Sequence, residues 1–200
     1  MRLLIATNNR GKLREYRDIL GDLPLDLVTP ADVGLELEIA ETGATYYENA
    51  RMKAEAFAQA SGLLTLADDS GLEVDALDGA PGVHSHRYAQ GSDGERYRVL
   101  LEQLQGVPPE KRTARFRCVI VLFGPAGVIH TCEGICPGVI VDRPRGEGGF
   151  GYDPVFYLPE IGKTMAELSP QEKNCLSHRG RAGQRARPVL LELLTREERR

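Results

Sequence analysis

The stretch Ala67-Asp68-Asp69-Ser70-Gly71 sets two carboxylates at the end of an apolar run, Leu63–Ala67. Ligands in α/β proteins gather at the carboxyl ends of strands, and acids there can hold a cation or polarise a water. Neighbouring side chains on an extended chain leave on opposite sides, so both acids can face one atom only across a turn. Two readings are open. Either one Asp binds metal or polarises water while the other orients the loop, or the pair makes a helix cap or an Asx-turn. A second patch, Thr7-Asn8-Asn9-Arg10-Gly11-Lys12, follows a strand-like run and precedes a helical one. It offers backbone amides, a hydroxyl and a lysine at a helix N-terminus, which suits a phosphate. The Walker A pattern is missing, and the plainer reading of this stretch alone is a polar turn.

Further patches add to these. Glu41-Thr42-Gly43 leads into a helix bearing Glu48, Asn49 and Lys53, with Asn49 and Lys53 on one face. Glu41 can supply a hard oxygen for Mg²⁺, which takes one or two carboxylates plus substrate phosphates; for Glu48 and Lys53 a solvated helix surface is the common alternative. Gly148-Gly149-Phe150-Gly151-Tyr152-Asp153-Pro154 places an aromatic between glycines. Phe150 can stack on a base and Asp153 can accept a base N–H, or the stretch is a tight turn with a buried aromatic. Lys173 precedes Ser177-His178-Arg179. With Ser177 as N-cap, His178 and Arg179 fall in a helix's first turn, where positive charge opposes the macrodipole and calls for an acceptor.

The elements that must carry these patches follow from periodicity. Arg2–Ala6, Leu25–Thr29 and Leu63–Ala67 read as strands, and Leu13–Leu20, Thr45–Ser61 and Asp93–Gln105 as helices. In the second helix Tyr47, Ala50, Ala54, Phe57 and Ser61 form a small or apolar stripe, and Gly62 suits the cap. Thr113–Phe123 and Val128–Val141 flank Gly124-Pro125-Ala126-Gly127 as a long hairpin. A helix runs from Ser177, with Pro188 expected to kink or split it. Early βα units followed by a hairpin indicate α/β with a mixed central sheet and flanking helices. The chain reads as one domain of residues 1–200, with one lobe from about 1–81 and 142–200 and a second from about 82–141.

Bulk properties narrow the function. The 200 residues carry a net charge of −4 and only 6% aromatics, which argues against a nucleic-acid partner. No apolar run approaches membrane or signal-peptide length, so a cytoplasmic protein is expected. Cys132 and Cys136 lie four apart with no second pair at metal spacing, and reduced thiols are the expected state of Cys118, Cys132, Cys136 and Cys175.

Taken in order, ATNNRGK, ETGATYYENARMKA, LADDSGLEVDAL, GAPGVHSHRYA, GGFGYDPVF and EKNCLSHR resemble the inosine triphosphate pyrophosphatase family over nearly the whole chain. The resemblance implies two lobes around a nucleotide-binding cleft, a homodimer, and Mg²⁺-dependent hydrolysis of non-standard purine nucleoside triphosphates (ITP, dITP, XTP) to monophosphate and pyrophosphate. It implies that Thr7, Asn8, Asn9, Arg10, Gly11, Lys12 and Lys53 hold the triphosphate and that Ser70 touches the nucleotide. Asp69 would be general base and metal ligand, with Glu41 and Asp68 as further ligands. Phe150, Gly151, Tyr152, Asp153, Lys173, His178 and Arg179 would form the base pocket, and Arg87 would face a phosphate. The chain departs from the family at Tyr46, at Asp78, where Gly is frequent, and at His86 beside Arg87. Competing readings are a pyrophosphatase for modified pyrimidine or methylated nucleotides and a non-catalytic nucleotide-binding module.

Overall fold

The computed structural model describes residues 1–198. In chain order the elements are β1 (Arg2–Ile5), α1 (Arg10–Leu20), β2 (Asp26–Val28), α2 (Tyr46–Ser61), β3 (Leu64–Val74), α3 (Asp93–Gln103), β4 (Thr113–Gly124), β5 (Gly127–Ile140), β6 (Phe156–Leu158), β7 (Lys163–Thr164), α4 (Pro170–Leu176) and α5 (His178–Glu198). The strands form one sheet in the order β2-β1-β3-β4-β5-β6-β7. β1 pairs in parallel with β2 and β3, and β6 pairs antiparallel with β5 and β7, so the sheet is mixed as expected.

Two compact units emerge, one of residues 1–69, 118–134 and 179–200, the other of 70–117 and 135–178. Their limits fall within β3, β4 and β5 and between His178 and Arg179, whereas the boundaries expected near Gly82 and Val141 lie inside the second unit. In the first unit the sheet is covered on both faces. Leu3, Ile5, Leu66, Cys118 and Ile120 pack with Tyr16 and Ile19 of α1 and Ala182, Ala186 and Leu190 of α5. Leu4, Ala6, Ala67 and Val121 pack with Ala50, Ala54 and Phe57 of α2. In the second unit Leu72, Val74, Phe116, Ile140 and Phe156 pack with Leu100 and Leu104.

Local chemistry explains the element ends. Thr45 caps α2 through a capping box with Glu48, and Gly62 closes it in the left-handed region. The buried stripe of α2 starts at Tyr46, while Tyr47 is exposed, one position off the sequence expectation. Asp68-Asp69-Ser70-Gly71 makes no turn; β3 runs straight through it to Val74. Pro188 does not split the last helix, which continues to Glu198. Its ring lies on an exposed side, and the helix is held by Ala182, Ala186 and Leu190 in the core. Gly183 meets Ile19 so closely that an added Cβ would lie 2.7 Å from the isoleucine Cγ2. Asp78 adopts φ of 51°, the left-handed conformation in which Asp is among the better tolerated non-glycine residues.

Candidate active site

Alternation along β3 decides the fate of the two adjacent acids. Leu66 packs on the α1/α5 side and Ala67 on the α2 side; Asp68 follows Leu66 and Asp69 follows Ala67 to the same sides. Both acids are buried. Asp68 Oδ2 lies 3.0 Å from Lys12 Nζ and accepts hydrogen bonds from Arg179 Nη2 and Nε at 3.1 and 3.3 Å. The Cys118 thiol lies 3.6 Å from the same oxygen. Arg179 Nη1 reaches Glu15 Oε2 at 2.6 Å. Burial pushes the Asp68 carboxyl up, but Lys12, Arg179 and Lys53 outweigh burial and hold it well below the usual carboxylate range. Burial disfavours the Arg179 cation, and Asp68 and Glu15 more than restore it, so Arg179 stays charged.

Asp69 has a different setting. Its Oδ2 accepts a hydrogen bond from Asn49 Nδ2 at 2.9 Å. The Gly43 N–H donates to Asn49 Oδ1 at 2.8 Å, which turns the amide so that its NH₂ faces Asp69. Burial raises the Asp69 carboxyl above its ordinary value, the nearby Glu41 charge adds to that, and Lys53 and Lys12 offset it only in part. Lys53 donates a hydrogen bond to Glu41. Burial acts against the Lys53 ammonium, but Asp68, Glu41 and Asp69 raise its pKa, while Lys53 holds Glu41 down against burial.

Asn9 is the N-cap of α1, accepting the Lys12 N–H at 3.0 Å, and Thr7 Oγ1 accepts the Asn9 N–H at 3.1 Å. Together they fold the β1–α1 turn so that Lys12 leaves the helix's first turn toward Asp68. Asn8 and Arg10 are exposed, Gly11 is half-buried, and Ser70 continues β3 beyond Asp69. The first unit thus brings Thr7, Asn9, Lys12, Glu41, Lys53, Asp68, Asp69 and Arg179 into one set of linked partners, together with Asn49, Glu15 and Cys118. Lys12, Lys53 and Arg179 stand against Glu15, Glu41, Asp68 and Asp69, one more negative charge than positive. Among the described residues no three of His, Cys, Asp and Glu are gathered as a ready-made cation cage.

The second unit holds the other expected residues. Lys173, on α4, donates to Asp153 Oδ2 at 2.5 Å, and its Nζ stands 4.7 Å from the centre of the Phe150 ring. The Phe150 N–H donates to the same Asp153 oxygen at 2.8 Å. The Tyr152 hydroxyl donates to the Ser85 carbonyl at 2.9 Å, and burial pushes its pKa up. His178 is buried and stacks on Phe116, ring centres 4.7 Å apart and planes 14° apart. Arg87 is exposed, its Nε 3.3 Å from His84 Nδ1. Arg179, grouped from the sequence with the base pocket, turns its guanidinium instead to Asp68 and Glu15. Successive residues on a helix point about 100° apart, so neighbours in sequence need not share surroundings.

The sequence reading missed Glu15, a buried acid on a helix otherwise rich in exposed charge, and Cys118. Asn49 was legible as sharing a face with Lys53, although its partner Asp69 was not.

The Ham1 family model matches residues 3–189 of the chain. A dITP/XTP pyrophosphatase of Desulforamulus reducens is 49% identical over 200 residues, covering 99% of this chain and 100% of that protein. One from Geobacter sulfurreducens is 53% identical over 183 residues, covering 90% and 92%. Among solved structures, a HAM1 protein from Coxiella burnetii superposes with a TM-score of 0.86 at 43% identity, covering 96% of this chain and 99% of that one. The Ham1 protein of Staphylococcus aureus gives 0.82 at 40% identity, covering 99% and 100%.

Proposed function

The chain belongs to the Ham1 family, and on that footing we propose that it hydrolyses non-standard purine nucleoside triphosphates, such as dITP, XTP and ITP, to the monophosphate and pyrophosphate. The observation that carries this reading is the environment of Asp69. It is a buried carboxylate oriented by an amide, with its pKa raised although two lysines act on it. That is what a water-activating base needs beside a polyanionic substrate.

Lys12 and Lys53 are the cations available to triphosphate oxygens. Asp68, itself held by Arg179, fixes Lys12, and Glu41 fixes Lys53, so both charges are set before substrate arrives and stabilise the departing pyrophosphate without reorganisation. Asp69 takes the proton of the attacking water at its carboxylate, while Asn49 keeps that carboxylate aimed. The donor set fits Mg²⁺: Glu41 and Asp69 supply hard oxygens, their mutual repulsion and the surplus negative charge favour a divalent cation, and two carboxylates plus phosphates suffice for this ion. Bound there, Mg²⁺ would acidify water and offset charge on the leaving group. Asp68, expected from the sequence as a third ligand, serves better as the anchor of Lys12 and Arg179.

For the base, Phe150 supplies a stacking face and Lys173 a donor to the 6-oxo group of hypoxanthine or xanthine, with buried His178 as a second candidate donor. Adenine presents an amino group at that position, so donor would meet donor. The same reading takes the protein as a cytoplasmic homodimer, which sedimentation at micromolar concentration would check.

The test is pyrophosphate release from ITP, XTP, dITP, GTP, ATP and dTTP with Mg²⁺ and with EDTA. Mg²⁺-dependent release from ITP, XTP and dITP, with little from ATP, supports the reading. A preference for dTTP would overturn the base assignment, and inactivity on all six would overturn the enzyme assignment.

A further inference from the structure

The residues around Phe150 are tied down from several directions, and one tie comes from a helix that nothing in the sequence connects with them. The Gly151 N–H donates to Asp93 Oδ2 at 2.6 Å. Asp93 opens α3, and an acid at that position ordinarily serves the helix dipole. Here the cap is already complete: Ser92 Oγ accepts the Glu95 N–H, and the Glu95 carboxylate accepts the Ser92 N–H. Both Asp93 oxygens have other partners. Oδ1 receives Arg96 Nη1 at 2.5 Å, and Arg96 is itself anchored through Nη2 to the Gly91 carbonyl at 3.1 Å. Arg96 therefore aims Asp93 at the loop. The loop needs such aiming, because Gly149 and Gly151 flank Phe150 with φ of +73° and +64°, and glycine backbone carries little stiffness of its own.

We propose that Asp93 is a positioning residue for base recognition: by fixing Gly151 it sets the placement of the Phe150 ring beneath Lys173. The proposal rests on the reading of the Phe150–Asp153 stretch as base-binding. Asp93 touches no reacting atom, so its loss acts on substrate binding rather than on the chemical step.

Two substitutions separate geometry from charge. Asp93→Glu keeps the charge at the helix start and moves the acceptor by one methylene. Arg96→Met leaves the Asp93 charge in place and removes the group that aims it. With Mg²⁺ and ITP, Asp93→Glu and Asp93→Ala should raise KM about tenfold and Arg96→Met about threefold, with kcat little changed. An Asp93→Glu protein that matches the parent overturns the proposal, since the effect would then follow charge or helix stability, and so does an Arg96→Met protein that matches it. If Asp93→Ala does not fold, the Asp93→Glu and Arg96→Met pair decides. Phe150→Ala is the reference. If it leaves KM and base preference unchanged, the base-binding reading fails and the proposal with it. If it raises KM while Asp93→Glu and Asp93→Ala do not, the proposal alone fails.

Discussion

The acid cluster of the first unit and the aromatic loop of the second solve opposite problems. The first gathers four carboxylates and three cations, all but Glu41 on regular elements, β3, α1, α2 and α5, and ties them by ion pairs and the Asn49–Asp69 hydrogen bond. The second sets one lysine against one aspartate over a phenylalanine ring, on a glycine-flanked loop. Rigid elements give the first its precision; the second must borrow it through ties from Asp93 and Ser85. The proposed function assigns phosphate chemistry to the first region and base selection to the second.

The sharpest way to break that division is Asp69→Asn. It should lower kcat by about 10²–10⁴-fold, the range for general-base assistance, leaving circular dichroism and the ITP-over-ATP preference intact; retention of most kcat would move the base elsewhere. Next comes Arg179→Met, which strands Asp68 and Glu15 in the interior. Urea unfolding should register a loss of about 3–5 kcal/mol, the usual cost of removing one partner from a buried pair. Lys173→Met should then cut the ITP-over-ATP ratio of kcat/KM by roughly 10–100-fold, the worth of one charged hydrogen bond, with kcat for ITP nearly kept. A fall in kcat as large as that of Asp69→Asn would merge the two regions into one.

The smallest effect is expected at a pair that belongs to neither, exposed Asp22 and half-buried Arg187, whose oxygens and nitrogens meet at 2.6 and 2.7 Å. The hydrogen bond from Arg187 holds the Asp22 carboxyl below its ordinary value. A depressed folded-state pKa contributes stability above the unfolded value, about 3.9, and loses it as pH falls through the folded value. Thermal melts should therefore place Asp22→Asn slightly below the parent at pH 7, with the gap closing as pH falls below the unfolded value. A gap that widened toward acid would contradict that pairing.

The two regions also differ in how far they could be read from the sequence. Period-two alternation put Asp68 and Asp69 on opposite sides of an extended chain, although a turn was left open and the family resemblance set both acids on the metal, and the helix expected over Thr45–Ser61 is α2. The hairpin of β4 and β5 was marked by its Gly-Pro-Ala-Gly link. What escaped was long-range pairing. Glu15 resembles a surface acid until Arg179, 164 residues on, arrives beside it. Asp93 looks like a first-turn acid until Gly151 donates to it, 58 residues away. The family resemblance placed Arg179 with His178, yet the helix turns the two to different surroundings. Local pattern fixes elements and faces; it does not say which element a charge will meet.

Asp68 and Asp69 are chemically identical, so only parity along β3 tells the anchor of Lys12 and Arg179 from the proposed base. Parity is written in the pair before them: Leu66 is the larger residue and fills the α1/α5 side, Ala67 the smaller and fits against α2. A slip of one residue would exchange the carboxylates, but it would also put a leucine where an alanine fits and leave a void on the other face. The same two apolar side chains that hold the strand in place therefore encode which acid faces Asn49 and which faces Lys12 and Arg179.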